Sequence, residues 1–171
     1  MGLLKTVLRK YFRDPELVRR REALRAITLF KSLSRNQLTR VLMTLYHRNY
    51  QPGETIFEEG EIGRALFVIE SGKIALHKKD RKGNLRELAV LEGGDFFGEM
   101  ALLEEIPRSA AAVAIEPSSL FFLYKSSLDS FIEDKPAIGA LILSELAKLG
   151  ARRLRALSAK LIDAADTLAK S

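Results

Sequence analysis

Hydrophobic residues recur along this chain at two periods, and the switch between them divides it into three parts. In the first part Leu38, Val41, Leu42 and Leu45 follow the spacing of one helix face. Ser34, with Gln37 three residues on, makes the capping-box pattern that would start that helix. An earlier helix is predicted from Asp14 to about Phe30, because an aspartate can accept unpaired backbone N–H groups while Pro15 sits where its missing donor costs nothing. After Tyr50 the texture changes. Pro52-Gly53, Gly60, Gly63, Gly72, Gly83-Asn84 and Gly93-Gly94 cut the middle of the chain into short pieces rich in Ile, Val, Phe and Leu. Ala65 to Ile69 is apolar throughout, as in a strand buried on both faces, whereas Ile74 and Leu76 alternate with Lys73, Ala75 and His77. Lys82-Gly83-Asn84 is placed to turn a hairpin, Ala111, Val113 and Ile115 alternate again, and Leu120 to Leu123 reads as a last apolar strand. Helical spacing returns near Ser126, predicted to cap a turn containing Asp129, and a longer helix should run from Pro136 to about Leu168.

That order predicts an α+β domain with a mainly β core: an antiparallel β-roll or jelly-roll preceded by helices and followed by one long helix. Residues 1–28 are expected to form a basic helical extension. Residues 29–171 would form the domain, with its C-terminal helix from about residue 136. Within that helix Leu143, Ala147, Gly150, Leu154, Leu157, Leu161, Ala164 and Leu168 alternate spacings of four and three, a coiled-coil-like seam that suggests a homodimer. The competing reading is that the stripe packs on its own roll.

Composition narrows the chemistry. The 171 residues suffice for one ordinary core, and the absence of cysteine removes disulfides, thiolate metal sites and a cysteine nucleophile while fitting a cytoplasmic setting. Only two histidines are present, His47 and His77, in unrelated segments, so no metal site is expected and both are read as surface residues. No nucleophile elbow, Walker loop or zinc-protease signature occurs, and an enzyme is disfavoured. The net charge is +6, concentrated at the start, where the first 25 residues hold eight basic and three acidic side chains. There Leu3, Leu4, Val7, Leu8, Tyr11 and Phe12 form an apolar stripe that could touch an anionic membrane surface or a partner, or simply pack on the domain. Met1-Gly2 with Thr6 matches the short myristoylation pattern, and the opening residues do not read as a secretory signal.

The segment with the most chemistry runs from Phe96 to Ala110: Phe-Phe-Gly-Glu-Met-Ala-Leu-Leu-Glu-Glu-Ile-Pro-Arg-Ser-Ala. Gly98 permits a tight turn, Glu99 to Leu103 suit one short helical turn whose free N–H groups attract an anion, and Pro107 fixes the chain before Arg108. Arg108 offers a planar fork that suits a phosphate. Glu99 offers an acceptor for a donor such as a sugar hydroxyl. Together they describe a ribose carrying a single buried phosphate.

This segment resembles the phosphate-binding cassette of the cyclic-nucleotide-binding domains, the family of the regulatory subunits of cyclic-AMP-dependent protein kinase and the bacterial catabolite activator protein. The likeness extends outward through Tyr50 to Gly60 and Phe67 to Gly72, covering roughly Leu29 to Leu161. It implies a regulatory module for a cyclic nucleotide, cyclic AMP favoured and cyclic GMP the alternative, in which ligand capture moves the flanking helices. It also implies that Glu99 accepts from the ribose 2′-hydroxyl, that Arg108 pairs with the cyclic phosphate, and that Gly98, Met100, Ala101, Ser109 and Ala110 form the cradle. Ile69, Leu91 and Val113 are expected as apolar walls, and Arg153 and Ser158 on the long helix as contacts to the base, with Leu157 where the activator carries threonine. A helix-turn-helix of the activator type is not expected after that helix. The rival readings are a ligand-free roll kept for docking or dimerisation, acting on an unnamed downstream protein, and a membrane-associated sensor.

Overall fold

The computed structural model describes residues 15–104 and 106–169. Five helices and eight strands are found among them. Helix α1 spans Pro15–Ala26 and α2 Arg35–Leu42, followed by β1 Tyr46–Tyr50, β2 Thr55–Phe57, β3 Ala65–Ser71, β4 Lys73–Lys79, β5 Leu85–Glu92 and β6 Phe96–Phe97. The short helix α3, Met100–Leu103, precedes β7 Ala111–Ala114 and β8 Ser118–Tyr124; α4, Lys125–Asp134, and α5, Pro136–Ala169, complete the order. The strands form two antiparallel four-stranded sheets, β1-β8-β3-β6 and β2-β7-β4-β5, the roll that the glycine-punctuated pieces predict.

Alternation along the strands builds two cores. Phe67, Ile69 and Leu120 point into the roll beside Ile74, Phe97, Ala112 and Ala114, while Leu66, Val68, Phe121 and Leu123 point outward against the helices. Strand β3 is therefore apolar from Ala65 to Ile69, where both its faces are covered, and turns polar only at its end, Glu70 and Ser71. The outer layer closes with Leu24, Ile27, Phe30, Leu38 and Val41 from the N-terminal side and Leu128, Ile142 and Leu146 from the C-terminal side. Leu24 and Ile27 thus share a core with residues beyond position 28, so the expected boundary there falls within packed structure.

Local chemistry explains most element ends. The capping box is present: Ser34 Oγ accepts from the Gln37 N–H, and the Ser34 N–H donates to Gln37 Oε1 at 2.8 Å. The β4–β5 hairpin is tied by Asp80, whose Oδ1 accepts from the N–H groups of Lys82 and Asn84. Three expectations need correction. Helix α1 ends at Ala26 rather than near Phe30, because Ile27 to Leu33 continue as three-residue turns that bury Ile27, Leu29, Phe30 and Leu33 together. Helix α4 starts at Lys125 without a side-chain cap, so Ser126 lies inside the first turn and Lys125 pairs with Asp129 instead. Both histidines are half-buried rather than on the surface, with His47 Nε2 within hydrogen-bonding distance of Glu70 and of Ser119. Burial raises the Glu70 carboxyl, but hydrogen bonds with Ser119 and His47 outweigh it and leave the pKa below its ordinary value. Asp14 and the apolar stripe from Leu3 to Phe12 lie outside the described residues.

Helix α5 presents two stripes. Ile138, Ile142 and Leu146 are buried on the domain's own core, whereas Leu154, Leu157 and Leu161, from the seam, are 55–65% exposed. Leu143, at the start of the seam, is partly buried against that same core, so the seam leaves the domain only further along the helix. Glu145, 3% exposed, fixes the packed half: it accepts from Ser32 Oγ at 3.0 Å and from Lys148 Nζ at 2.9 Å, with Lys31 at 4.0 Å. Lys148 above all holds its carboxyl below the usual carboxylate range, against the opposing effect of burial. A depressed folded pKa stabilises the fold fully above the unfolded value of about 4.3 and loses that contribution as pH falls through the folded value. Glu145→Gln should therefore lower stability by about 1 kcal/mol at neutral pH and flatten the loss below pH 4, read from urea midpoints across pH.

Candidate functional site

Residues Phe97 to Ala101 and Ile106 to Ala110 line one side of a cleft whose other side is formed by Phe57 of β2, Leu76 of β4 and Ala89 and Leu91 of β5. Gly98, with φ +72°, makes the left-handed turn out of β6 that leads into α3. The return arm is tied to the loop before β3: the Arg108 N–H donates to Glu61 O at 2.7 Å, the Gly60 N–H donates to Arg108 O at 2.9 Å, and Ile62 bridges to Pro107. These bonds fix where the Arg108 side chain begins.

Arg108 is only 9% exposed. Nη2 donates to Ala65 O at 2.9 Å and Nη1 to Gly98 O at 3.1 Å, while the plane lies over Phe57 at 4.2 Å and Phe67 at 5.2 Å from the ring centroids. Two of its five N–H groups are thus given to carbonyls, and no carboxylate pairs with it among the described residues. Burial lowers the pKa of the guanidinium from its ordinary value, opposed by the charges of Glu61 and Glu99. A buried cation without a counter-ion is costly, and an anion delivered to it recovers that cost.

Glu99 stands one residue before α3, and its side chain does not cap that helix. Instead Oε1 accepts from Arg153 Nη1 on α5, joining the cassette to the long helix. The Ala101 N–H makes only a long bond to Gly98 O, 3.3 Å. Between these groups lies a cleft of about 360 Å³, close to the lower size of small-ligand sites. Gly98, Glu99, Met100, Ala101, Arg108, Ser109, Ala110, Leu91 and Arg153, all named from the sequence, line it.

Three other predicted contacts do not. Ile69 is fully buried in the roll interior with Ile74 and Leu120, away from the cleft. Val113 lies on the opposite face of β7, because its neighbours Ala112 and Ala114 are the ones turned inward. Ser158 is exposed and donates to Leu154 O at 3.0 Å. Five residues beyond Arg153, it sits about 140° further round the helix. Leu157, four residues on, shares the face of Arg153.

Sequence reasoning missed the other walls, Phe57, Leu76, Ala89, Phe97, Ile106 and Pro107. Hairpin register could have supplied two of them, since Ile74 pairs with Leu91 and Leu76 with Ala89. Gly63 was also missed. A Cβ there would stand 2.5 Å from Cζ and Nε of Arg108 and 2.8 Å from the Ala101 Cβ, closer than atoms pack, so the guanidinium keeps its seat because this residue has no side chain. Gly63→Ala should push Arg108 off its carbonyl anchors and weaken anion capture about tenfold, about 1.4 kcal/mol, which calorimetry with a cyclic nucleotide would read.

Among the described residues no group of three His, Cys, Asp or Glu side chains could hold a metal ion, and no helix is long and apolar enough to cross a membrane. The family model described as "Cyclic nucleotide-binding domain" matches residues 47–135, just over half of the chain. The chain is 39% identical over 127 residues to the cyclic AMP receptor protein of Thermus thermophilus, covering 74% of this chain and 57% of that protein. It is 35% identical over 109 residues to a cGMP-dependent protein kinase of Eimeria tenella, covering 64% of this chain and 10% of the kinase. The crystal structure of Thermus thermophilus catabolite activator protein superposes with a TM-score of 0.72 at 38% identity, over 78% of this chain and 61% of that one. The chain therefore spans only part of the length of each of these relatives.

Proposed function

Because the chain belongs to the cyclic nucleotide-binding domain family, we propose that it is a regulatory sensor that takes cyclic AMP in the cleft beneath α3 and transmits its capture through α5, without catalysis. The observation that carries this reading is Arg108: a buried, oriented guanidinium without a paired carboxylate, which fits the single phosphate of a cyclic nucleotide. Glu99 supplies the acceptor for a ribose hydroxyl, and the backbone around Gly98 and Ser109 lines the phosphate end.

Adenine is favoured over guanine by the walls. Leu76, Ala89 and Leu91 present apolar surface, and Ser109, Glu99 and Arg153 are the polar side chains lining the cleft besides Arg108. Of these, Ser109 alone is an uncharged hydroxyl able to serve the exocyclic amino group of guanine, whose oxygen and amino group both need partners. The name of the Thermus relative, a cyclic AMP receptor, points the same way, and that of the Eimeria kinase toward the alternative.

Coupling follows from the contacts of α5. Arg153 ties that helix to Glu99, the carboxylate a ribose hydroxyl would engage, so capture and the position of α5 share one group. The shift is bounded by the ligand's differential affinity for the two arrangements. Beyond Gly150 the exposed Leu154, Leu157 and Leu161 form the face on which we place a homodimer. The small residues interleaved with them keep the area contributed per turn low.

Titrating the whole chain with cyclic AMP and with cyclic GMP by calorimetry tests the assignment. Binding of cyclic AMP at least tenfold tighter is expected. No heat and no rise in melting temperature with either nucleotide would replace the sensor by the ligand-free docking roll, since a ligand that binds the folded state must stabilise it.

A further inference from the structure

A second cleft, of about 380 Å³, lies on the other side of Arg153. Its three walls come from different parts of the chain: Thr28 and Lys31 after α1, Gly94 to Phe96 at the β5–β6 turn, and Leu149, Arg152 and Arg153 on α5. Leu91 and Arg153 line both clefts, so the side chain of Arg153 stands between them.

The charges around this space do not balance. Lys31, Arg152 and Arg153 face one carboxylate among its lining residues, Asp95, and that carboxylate already accepts the Glu92 N–H at 3.0 Å. Lys31 lies 4.0 Å from Glu145, which is itself bonded to Lys148 and Ser32, and Arg152 has no carboxylate within ion-pair distance among the described residues. Arg153 is held by Glu99 from the nucleotide side.

We propose that this cleft binds a small soluble phosphate anion of about the size of pyrophosphate, and that it is coupled to the nucleotide site through Arg153. The inference rests on the nucleotide reading above for its coupling, though not for the existence of the cleft. Both ligands act on the same ion pair. A ribose hydroxyl claims Glu99 and frees Arg153; an anion beside Lys31 and Arg152 draws Arg153 away and frees Glu99. Each therefore removes a competitor of the other, and linkage requires the two affinities to rise together by one common factor. Fork-shaped donors on Arg152 and Arg153 suit phosphate oxygens better than a single point charge would.

Inorganic pyrophosphate is the probe, titrated at constant ionic strength with and without saturating cyclic AMP. Cyclic AMP should bind about fivefold tighter when pyrophosphate is saturating, at the low end of ordinary coupling. Arg152→Gln and Lys31→Gln should each abolish that gain while binding cyclic AMP alone as the unmodified chain does. An unchanged affinity, a weaker one from competition for the Arg108 seat, or a gain that survives both substitutions would overturn the proposal. If cyclic AMP does not bind at all, the nucleotide reading fails, and the second cleft is judged by pyrophosphate alone. A rise in melting temperature that disappears in Arg152→Gln supports it, and no rise removes it.

Discussion

Replacing Arg108 by alanine should weaken cyclic AMP binding about a thousandfold, the largest loss expected from any single substitution in the cleft. Two charge-assisted hydrogen bonds from one fork, each about 1.5–3 kcal/mol, set that scale, since 4.1 kcal/mol corresponds to three decades. The guanidinium is already oriented before any ligand arrives, by Ala65 O, Gly98 O and the faces of Phe57 and Phe67, so little ordering entropy opposes its use. Arg108→Lys keeps the charge but not the planar fork, and should lose about a hundredfold, because one ammonium cannot span two phosphate oxygens while holding both carbonyls. Alanine also leaves those two carbonyls without their donors, so a lower melting temperature is expected, and circular dichroism at the titration temperature must show folded protein. Calorimetric affinities for both variants within threefold of the unmodified chain would mean that the phosphate is not read by Arg108.

The parts of the site that were legible before the structure share one property: they are local. The turn at Gly98, the acceptor at Glu99, the short helix and the return of Arg108 lie within a dozen residues, and their order along the chain nearly dictates their geometry. The roll was legible for a related reason, since glycine spacing and two-residue alternation are imposed strand by strand. What was lost needed register. Val113 is a wall only by the resemblance, and the inward positions of β7 are the alanines on either side of it, Ala112 and Ala114. Ile69 is buried in the roll interior, at a level along the roll that alternation does not encode. Gly63 and Phe57, some fifty residues from Arg108 in sequence, support it through contacts that only the closed roll creates. Ser158 lies about 140° round α5 from Arg153, a rotation that position along the chain alone does not reveal.

Glu99→Gln should cost about a hundredfold in cyclic AMP affinity, whereas Arg153→Ala should change it by less than about fivefold, and this asymmetry separates two roles for the same carboxylate. The Glu99–Arg153 pair is half open on the arginine side, 48% exposed against 17% for the glutamate. An ion pair so placed is worth at most about 1 kcal/mol, so its rupture cannot hinder binding much. A ribose hydroxyl donating to a charged acceptor at the rim of a largely apolar cleft is worth more, about 2–3 kcal/mol. Glutamine preserves the shape and one acceptor oxygen but removes the charge and adds an N–H₂ group, and it therefore tests the carboxylate rather than the volume. The double variant adds the decisive comparison. If Glu99 faces the ligand, Arg153→Ala in the Glu99→Gln background should cause little further loss, because the ion pair is already gone. Equal losses in the two single variants would instead make Glu99 a strut for α5, leaving the ribose to be recognised by another group.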